Sequence, residues 1–393
     1  MSRIEELIKE KCPNGVVYKR IDDILKVLRG KRLTTKELSD KEKYPVYHGG
    51  LEPLGYYKDC NRSGDTVMII NVGASAGTVG YSKNNFWSSD GCYCLEHNEI
   101  INNRFLYHYL KNNELYFAGK VRKAGIPTLD GKIIEKFRIP IPPLEVQNEI
   151  VRILDKFGEL EAELEAELEA RKSQYEFWRG KLLNKEYGNK KNIYEVTIWD
   201  KKFNSVEKNM QSNTIKYPVL LASDLFLLDQ PNGNVFLLST GEQTGWTTEE
   251  LAGENLCEGE VVTIPWGKSR PVSEVMKYYN GKFVTGDNRI ATSNDKDLLL
   301  NKYLYYWFQN NGNEIDTFYR GAGIQHPNMK KILTMTIDIP PLEIQKNIVN
   351  MLDKFDALVN DITVGLPAEI ELRRQQYEYY RNKLLSFEEL SIN

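Results

Sequence analysis

Arginine, lysine, glutamine and asparagine are the side chains that pair bidentately with base edges, and this chain gathers them in a few short stretches. LRGKRLTTK, 28–36, sets Arg29, Lys31, Arg32 and Lys36 among hydroxyls in a loop. GKVRKAGIPTLDG, 119–131, adds Lys120, Arg122, Lys123 and Thr128. TGEQTGWTT and WGKSRP supply Gln243, Trp246, Lys268 and Arg270, and YRGAGIQHPN supplies Arg320, Gln325 and His326. These clusters could read nucleic acid. The plainer reading of each residue is solvated surface.

Other chemistries find less support. Cys92, Cys94 and His97 are spaced C-x-C-x-x-H in a segment that alternates like a strand, so buried thiols fit better than zinc. GASAGTVG, 73–80, has neither the G-x-x-x-x-G-K-[ST] nor the G-x-G-x-x-G order and reads as a tight turn. There is no H-E-x-x-H, and IPPL is not the N-P-P-aromatic element of an amino-methyltransferase. The four histidines are scattered. The lack of a recognisable catalytic constellation favours binding over catalysis, with no metal and no cofactor held by this chain.

Composition bounds the class. At 393 residues and 41% hydrophobic, the chain can bury two or three sizeable cores. No apolar run reaches 18 residues and the start lacks a signal-peptide pattern, so the expectation is a cytoplasmic protein with no membrane partner. Five cysteines do not form a disulfide framework. Net charge is −3, but residues 1–140 carry 23 Lys and Arg against 17 Asp and Glu, whereas residues 186–340 carry 16 against 19. If the chain binds DNA, other subunits supply much of the phosphate neutralisation.

The elements that must position the clusters come in duplicate. IPPLEVQNEIVRILDKF, 141–157, returns as IPPLEIQKNIVNMLDKF, 339–355, and RKSQYEFWRGKLL, 171–183, returns as RRQQYEYYRNKLL, 373–385. The first offset is 198 and the second 202, so the second copy holds four extra residues. NRFLYHYLKNN and NKYLYYWFQNN also match at offset 198. Between these repeats the halves differ widely and read as β-rich segments broken by Gly, Ser and Asn, with short helices. The repeats read as long helices entered at Pro142–Pro143 and Pro340–Pro341. Their apolar seam runs through Leu160, Leu164, Leu168, Tyr175 and Trp178, and in the second copy through Tyr377 and Tyr380, at coiled-coil steps. VGLP, 364–367, interrupts the second. A continuous helix of 45 residues would be roughly 65 Å long.

With these residues in view, the chain resembles the specificity (S) subunits of type I restriction–modification systems. CPNGVVYKRIDDI, YPVYHGGLEPLGYY, the two I-P-P-L-E-x-Q segments and the QYEFWRGKLL and QYEYYRNKLL tails carry the resemblance over essentially the whole length. It implies an α+β protein with two mixed α/β target recognition domains, 1–140 and 187–338. Two long antiparallel helices forming a coiled coil, 141–186 and 339–388, join them about a pseudo-twofold axis, with a break near 365–367. It implies a non-catalytic subunit that reads a bipartite duplex DNA target. Its partners would be two modification (methyltransferase) subunits and two restriction subunits, which carry S-adenosylmethionine, ATP and Mg2+. These basic and polar residues would contact DNA, and the seam residues would form the spacer and partner surface. Rival readings are a recognition subunit of a fused restriction–methylation enzyme, a coiled-coil scaffold that binds no DNA, and a free-standing methyltransferase.

GELEAELEAELEAR, 158–171, lies inside the first long helix. Ala, Leu and Glu are strong helix formers, and leucines four apart drift about 40° per repeat. The stretch therefore reads as a spacer of set length, each tetrad adding roughly 6 Å of helix.

Overall fold

A computed structural model describes residues 3–241, 244–286, 288–361 and 363–390. Five helices organise it: α1 (Asn103–Asn112), α2 (Leu144–Leu183), α3 (Asn301–Asn310), α4 (Leu342–Asn360) and α5 (Leu366–Leu384). The long helix α2 begins directly after Pro142–Pro143, where proline's missing N–H costs nothing. Between α4 and α5 the chain turns through VGLP. A Cβ on Gly365 would lie 2.5 Å from the Ala357 carbonyl oxygen and 2.7 Å from that of Asp361, so only glycine fits the turn. Pro367 then occupies the first turn of α5.

The residues form two compact units, 1–166 with 368–393, and 167–367. Each is a mixed α/β domain plus parts of the long helices. In the first, a four-stranded sheet runs Val27–Arg29, Cys92–Leu95, Thr66–Ile70, Val79–Ser82. Thr66–Ile70 is buried along its whole length, as its continuous apolar run requires. A smaller sheet pairs Tyr44–Tyr47 with Gly55–Tyr57 and Trp87–Ser88. In the second, a seven-stranded sheet centres on Cys257–Pro265 between Asn288–Ser293 and Tyr278–Gly286, and Val235–Leu238 joins Tyr278–Gly286 in parallel.

One core rule builds both units. In the first, Phe105, Leu106 and Leu110 of α1 pack with Ile150 and Leu154 of α2 and with Leu384 of α5. In the second, Tyr303, Leu304 and Phe308 of α3 pack with Ile348 and Leu352 of α4 and with Tyr175 of α2. The duplicated glutamine pins each helix start. Gln147 is fully buried, its Nε2 donates to the carbonyls of Ile100 (3.0 Å) and Pro142 (2.7 Å), and its Oε1 accepts from the Asn102 N–H (2.7 Å). Gln345 repeats this with Leu298 (2.8 Å), Pro340 (2.8 Å) and the Leu300 N–H (2.9 Å). A buried amide satisfied on both ends fixes the entry angle of the helix, because leaving it would orphan three backbone groups.

The duplicated aspartate is a second strut. Asp155 accepts from Arg104 Nε and His108 Nε2, both at 2.8 Å. Asp353 accepts from Tyr306 Oη at 2.5 Å and pairs with Lys302 at 3.1 Å. The partners sit at matching repeat positions and the donors have changed chemistry, so the histidine at 108 has a tyrosine as its counterpart.

The helix pairing is directly visible in the first unit. Phe157 stacks on Tyr380 at 5.5 Å, and Arg374 bonds Glu161 and Glu165 at 2.6 Å each. Moving up α2 therefore means moving down α5, an antiparallel pair. In the second unit Tyr175 meets Phe355 at 6.2 Å. Among the described residues no helix is long and apolar enough to cross a membrane.

Candidate nucleic-acid interface

In each domain a central strand runs into a loop that a distant hairpin clasps. Thr66–Ile70 leads into 71–77. There the Gly73 N–H donates to the Pro127 carbonyl at 3.0 Å and the Leu129 N–H to the Asn71 carbonyl at 2.9 Å. The clasping hairpin closes through reciprocal bonds between Arg122 and Thr128 (2.9 and 3.1 Å). Gly125 at its tip has φ +78°, a left-handed conformation glycine adopts without penalty. Arg122, Lys123 and Thr128 thus share one projecting hairpin, with Lys120 at its base, exposed beside the Tyr116 ring. The tip residue Ile126 is 69% exposed.

The second domain repeats the clasp with other residues. Cys257–Pro265 leads into Trp266–Arg270, and the N–H groups of Lys268 and Gln325 each donate to the other's carbonyl, at 3.1 and 3.2 Å. Arg320 pairs with His326 across the short ladder that closes this hairpin. Gly321 has φ +144°, and a Cβ there would lie 2.6 Å from the Ile324 carbonyl oxygen, leaving room for no side chain. The structure therefore brings together Lys268, Arg270, Arg320, Gln325 and His326, which lie some fifty residues apart in sequence.

Their charges are not equally available. Lys268 turns its ammonium inward onto Asp316 at 2.5 Å and over the Tyr319 ring, with its side chain 9% exposed, so it anchors the loop. Arg320 and His326 are exposed, and Arg270 is half-buried. Beneath the loop, Arg289 pairs with Asp200 at 2.9 Å, both nearly excluded from solvent, and stacks on Trp266. Burial pushes the Asp200 carboxyl up; the Arg289 charge and bond offset this only in part.

The segment bearing Arg29, Lys31, Arg32 and Lys36 approaches the same region of the first domain by another route. The Lys31 N–H donates to the Ser88 carbonyl (2.9 Å) and Trp87 Nε1 to the Lys31 carbonyl (2.7 Å). Residues 88–91 in turn reach the 71–77 loop through the Gly91 carbonyl, which accepts from the Asn71 N–H at 3.1 Å. All four basic side chains are exposed. Trp246 lies on a separate hairpin of the second domain, its ring tilted against Phe236 (5.2 Å), and Gln243 lies outside the described residues. Of the seam residues, Leu160, Leu164, Leu168, Trp178 and Tyr377 are half-buried, Tyr175 is buried and Tyr380 is exposed.

Sequence reasoning passed over several groups. Lys277 sends its ammonium to the Gly241 carbonyl at 2.5 Å, and burial, then the neighbouring Arg270 charge, pulls its pKa down to about 8. Nothing in a lone lysine just ahead of a strand signals this. The struts Gln147, Gln345, Asp155 and Asp353 lay in plain view inside the repeats. Cys92 and Cys94 are buried in a small apolar cluster, and no group of three metal-ligating side chains occurs among the described residues.

A family model for the type I restriction modification DNA specificity domain matches residues 13–170 and 191–372. The chain belongs to this family. A putative type I restriction enzyme specificity subunit of Haemophilus influenzae is 30% identical over 95% of this chain and 96% of its own length. The specificity subunit of a type I restriction enzyme of Escherichia coli is 30% identical over 72% of this chain and 70% of its own. The fold agrees with that of a type I S subunit from M. genitalium (TM-score 0.64, 14% identity, covering 94% of this chain and 96% of that one). A second likeness is to a chain from a study of complex assembly and conformational transition in a type I system (TM-score 0.55, 14% identity, 95% and 98% covered). The two clasped loops thus belong to two DNA specificity domains of a specificity subunit, not of a catalytic one.

Proposed function

We propose that this specificity subunit reads a split DNA target, each clasped loop addressing one half. The observation that carries the reading is the recurrence of one loop–hairpin clasp on two domains with different exposed side chains. The frame repeats while the reading surface varies. Arg29, Lys31, Arg32, Lys36, Lys120, Arg122 and Lys123 give the first domain a basic face for phosphates, which set register, while base edges set specificity. Arg270, Arg320, Gln325, His326 and Trp246 carry the second. That domain has fewer uncompensated cations, and partner subunits make up the phosphate contacts.

The similar helix repeats dock two copies of one partner, the modification subunit, and two restriction subunits join that assembly in the cytoplasm. S-adenosylmethionine, ATP and Mg2+ reside on those partners. A methyltransferase partner must extrude its target base from the stack, which a reader that only positions the duplex does not do. Mobility-shift titrations of the chain with and without the modification subunit test this. Tight, sequence-dependent binding should need both, and binding that ignores sequence in every combination refutes it.

A further inference from the structure

At the loop end of the first domain stands a side-chain pair that no cluster above includes. His48 follows strand Tyr44–Tyr47 and Asp90 follows strand Trp87–Ser88, and His48 Nδ1 lies 3.4 Å from Asp90 Oδ1. Both side chains are about one-third exposed, 37% and 31%. Glycines make the place. A Cβ on Gly91 would lie 2.7 Å from His48 Nδ1 and 2.7 Å from Val72 Cγ1, and one on Gly49 would lie 3.3 Å from the Val72 carbonyl oxygen. The pair therefore abuts the 71–77 loop where hairpin 122–128 clasps it.

The second domain has an imidazole at the corresponding clasp. His326 Nδ1 lies 2.8 Å from the Trp266 carbonyl oxygen, and its ring lies 5.3 Å from the Trp266 ring. His48 and His326 come from different loops and occupy no shared repeat position. Yet each has Nδ1 turned to a protein oxygen next to the loop that follows the central strand, at ion-pair distance (3.4 Å) for His48 and at hydrogen-bond distance (2.8 Å) for His326. That arrangement fixes ring orientation and leaves Nε2 for an external partner.

We propose that His48, oriented by Asp90, is a base-reading residue of the first half-site, as His326 is of the second. The proposal rests on the half-site reading above and adds the atom that does the reading. A neutral ring presents Nε2 as an acceptor for adenine N6 or cytosine N4, and a protonated ring presents a donor to guanine N7 or O6. Asp90 Oδ1 also accepts from Ser89 Oγ at 3.2 Å, so one carboxylate oxygen is held by its own loop and faces the imidazole. The alternative is an ordinary half-exposed ion pair with no role in recognition.

The test uses the chain assembled with its modification subunit. Methyl transfer is measured on duplexes that differ from the full target by one base pair at each position of either half. His48→Ala should cut discrimination about ten-fold or more at one position of the first half-site and leave the second half-site unchanged. Asp90→Asn, in a positioning residue, should relax that same position by less, and His48→Gln should retain part of the preference. Discrimination unchanged from the parent at every first-half position overturns the proposal. So does loss of activity in all three variants together with a lowered unfolding temperature, which would make the pair structural. A parent complex with no position-dependent methylation of a split target would instead overturn the half-site reading itself.

Discussion

Replacing Gln345 with alanine should destabilise the second unit strongly while leaving its recognition loop untouched. The side chain is fully buried and makes three hydrogen bonds to the backbone of two segments. Truncation orphans the Leu300 N–H, worth about 1–3 kcal/mol, and deprives the Leu298 and Pro340 carbonyls of a donor, about 1 kcal/mol each. The vacated volume adds a cavity term. The hydrogen-bond terms alone sum to about 3–5 kcal/mol, or roughly 10 °C in the melting temperature of a unit this size. Gln345→Met keeps the length and removes the polarity, so it should lose only the hydrogen-bond share. Lys346→Ala, next to it but exposed, is the control and should change little. The assay is urea unfolding followed by far-UV circular dichroism, read as a change in midpoint at constant slope. A loss below about 1 kcal/mol for Gln345→Ala would refute the strut, since buried backbone groups would then have found other partners. Gln147→Ala should do the same to the first unit.

Acid should weaken the first unit before the second. Burial pulls the His108 pKa down; the bond to Asp155 offsets this only in part, and the nearby Arg104 charge adds to the lowering. A base with a depressed folded-state pKa costs nothing above the ordinary imidazole value of about 6.5 and loses stability as pH falls below it, because only the unfolded chain takes up the proton. Burial alone would raise the Asp155 carboxyl, but bonds from His108 and Arg104 hold it below its usual range, so its contribution is also lost at low pH. His108→Tyr, the residue found at the equivalent position 306, should flatten the stability–pH curve between about pH 6.5 and 5, and an unchanged curve would exclude His108 as its cause. Deleting Glu159–Ala162 removes one tetrad of α2 and should bring the two half-sites closer by at most about two base pairs without altering either; an unchanged gap refutes the spacer reading. In the native chain, a thiol reagent should label Cys60 before Cys92 and Cys94, which are buried, and equal labelling rates would contradict that burial.

The duplicated plan was legible because it lives in local, periodic sequence. The I-P-P-L-E-x-Q and D-K-F segments keep their residues since each glutamine and aspartate must meet the same backbone or the same helix face in both halves. The long helices could be read from Pro-Pro starts and steps of three and four. The VGLP interruption also carried its own signal, glycine followed by proline. The strand order and the clasp between central-strand loop and hairpin were not legible. Residue 72 meets 128, and 268 meets 325, through contacts that no period or motif encodes. The inward turn of Lys268 had no sequence signal either, because its partner Asp316 lies 48 residues away. His48 and Asp90 were passed over for the same reason.

The central claim is that two clasped loops on one chain read two separated halves of a DNA target. Long-read sequencing of DNA methylation tests it most directly. Genomes are compared from cells expressing this chain with its modification subunit, with and without the chain. The account predicts a chain-dependent motif of two short defined halves separated by a fixed run of unspecified bases. A chain-dependent motif that is continuous, or methylation that persists unchanged without the chain, would contradict it.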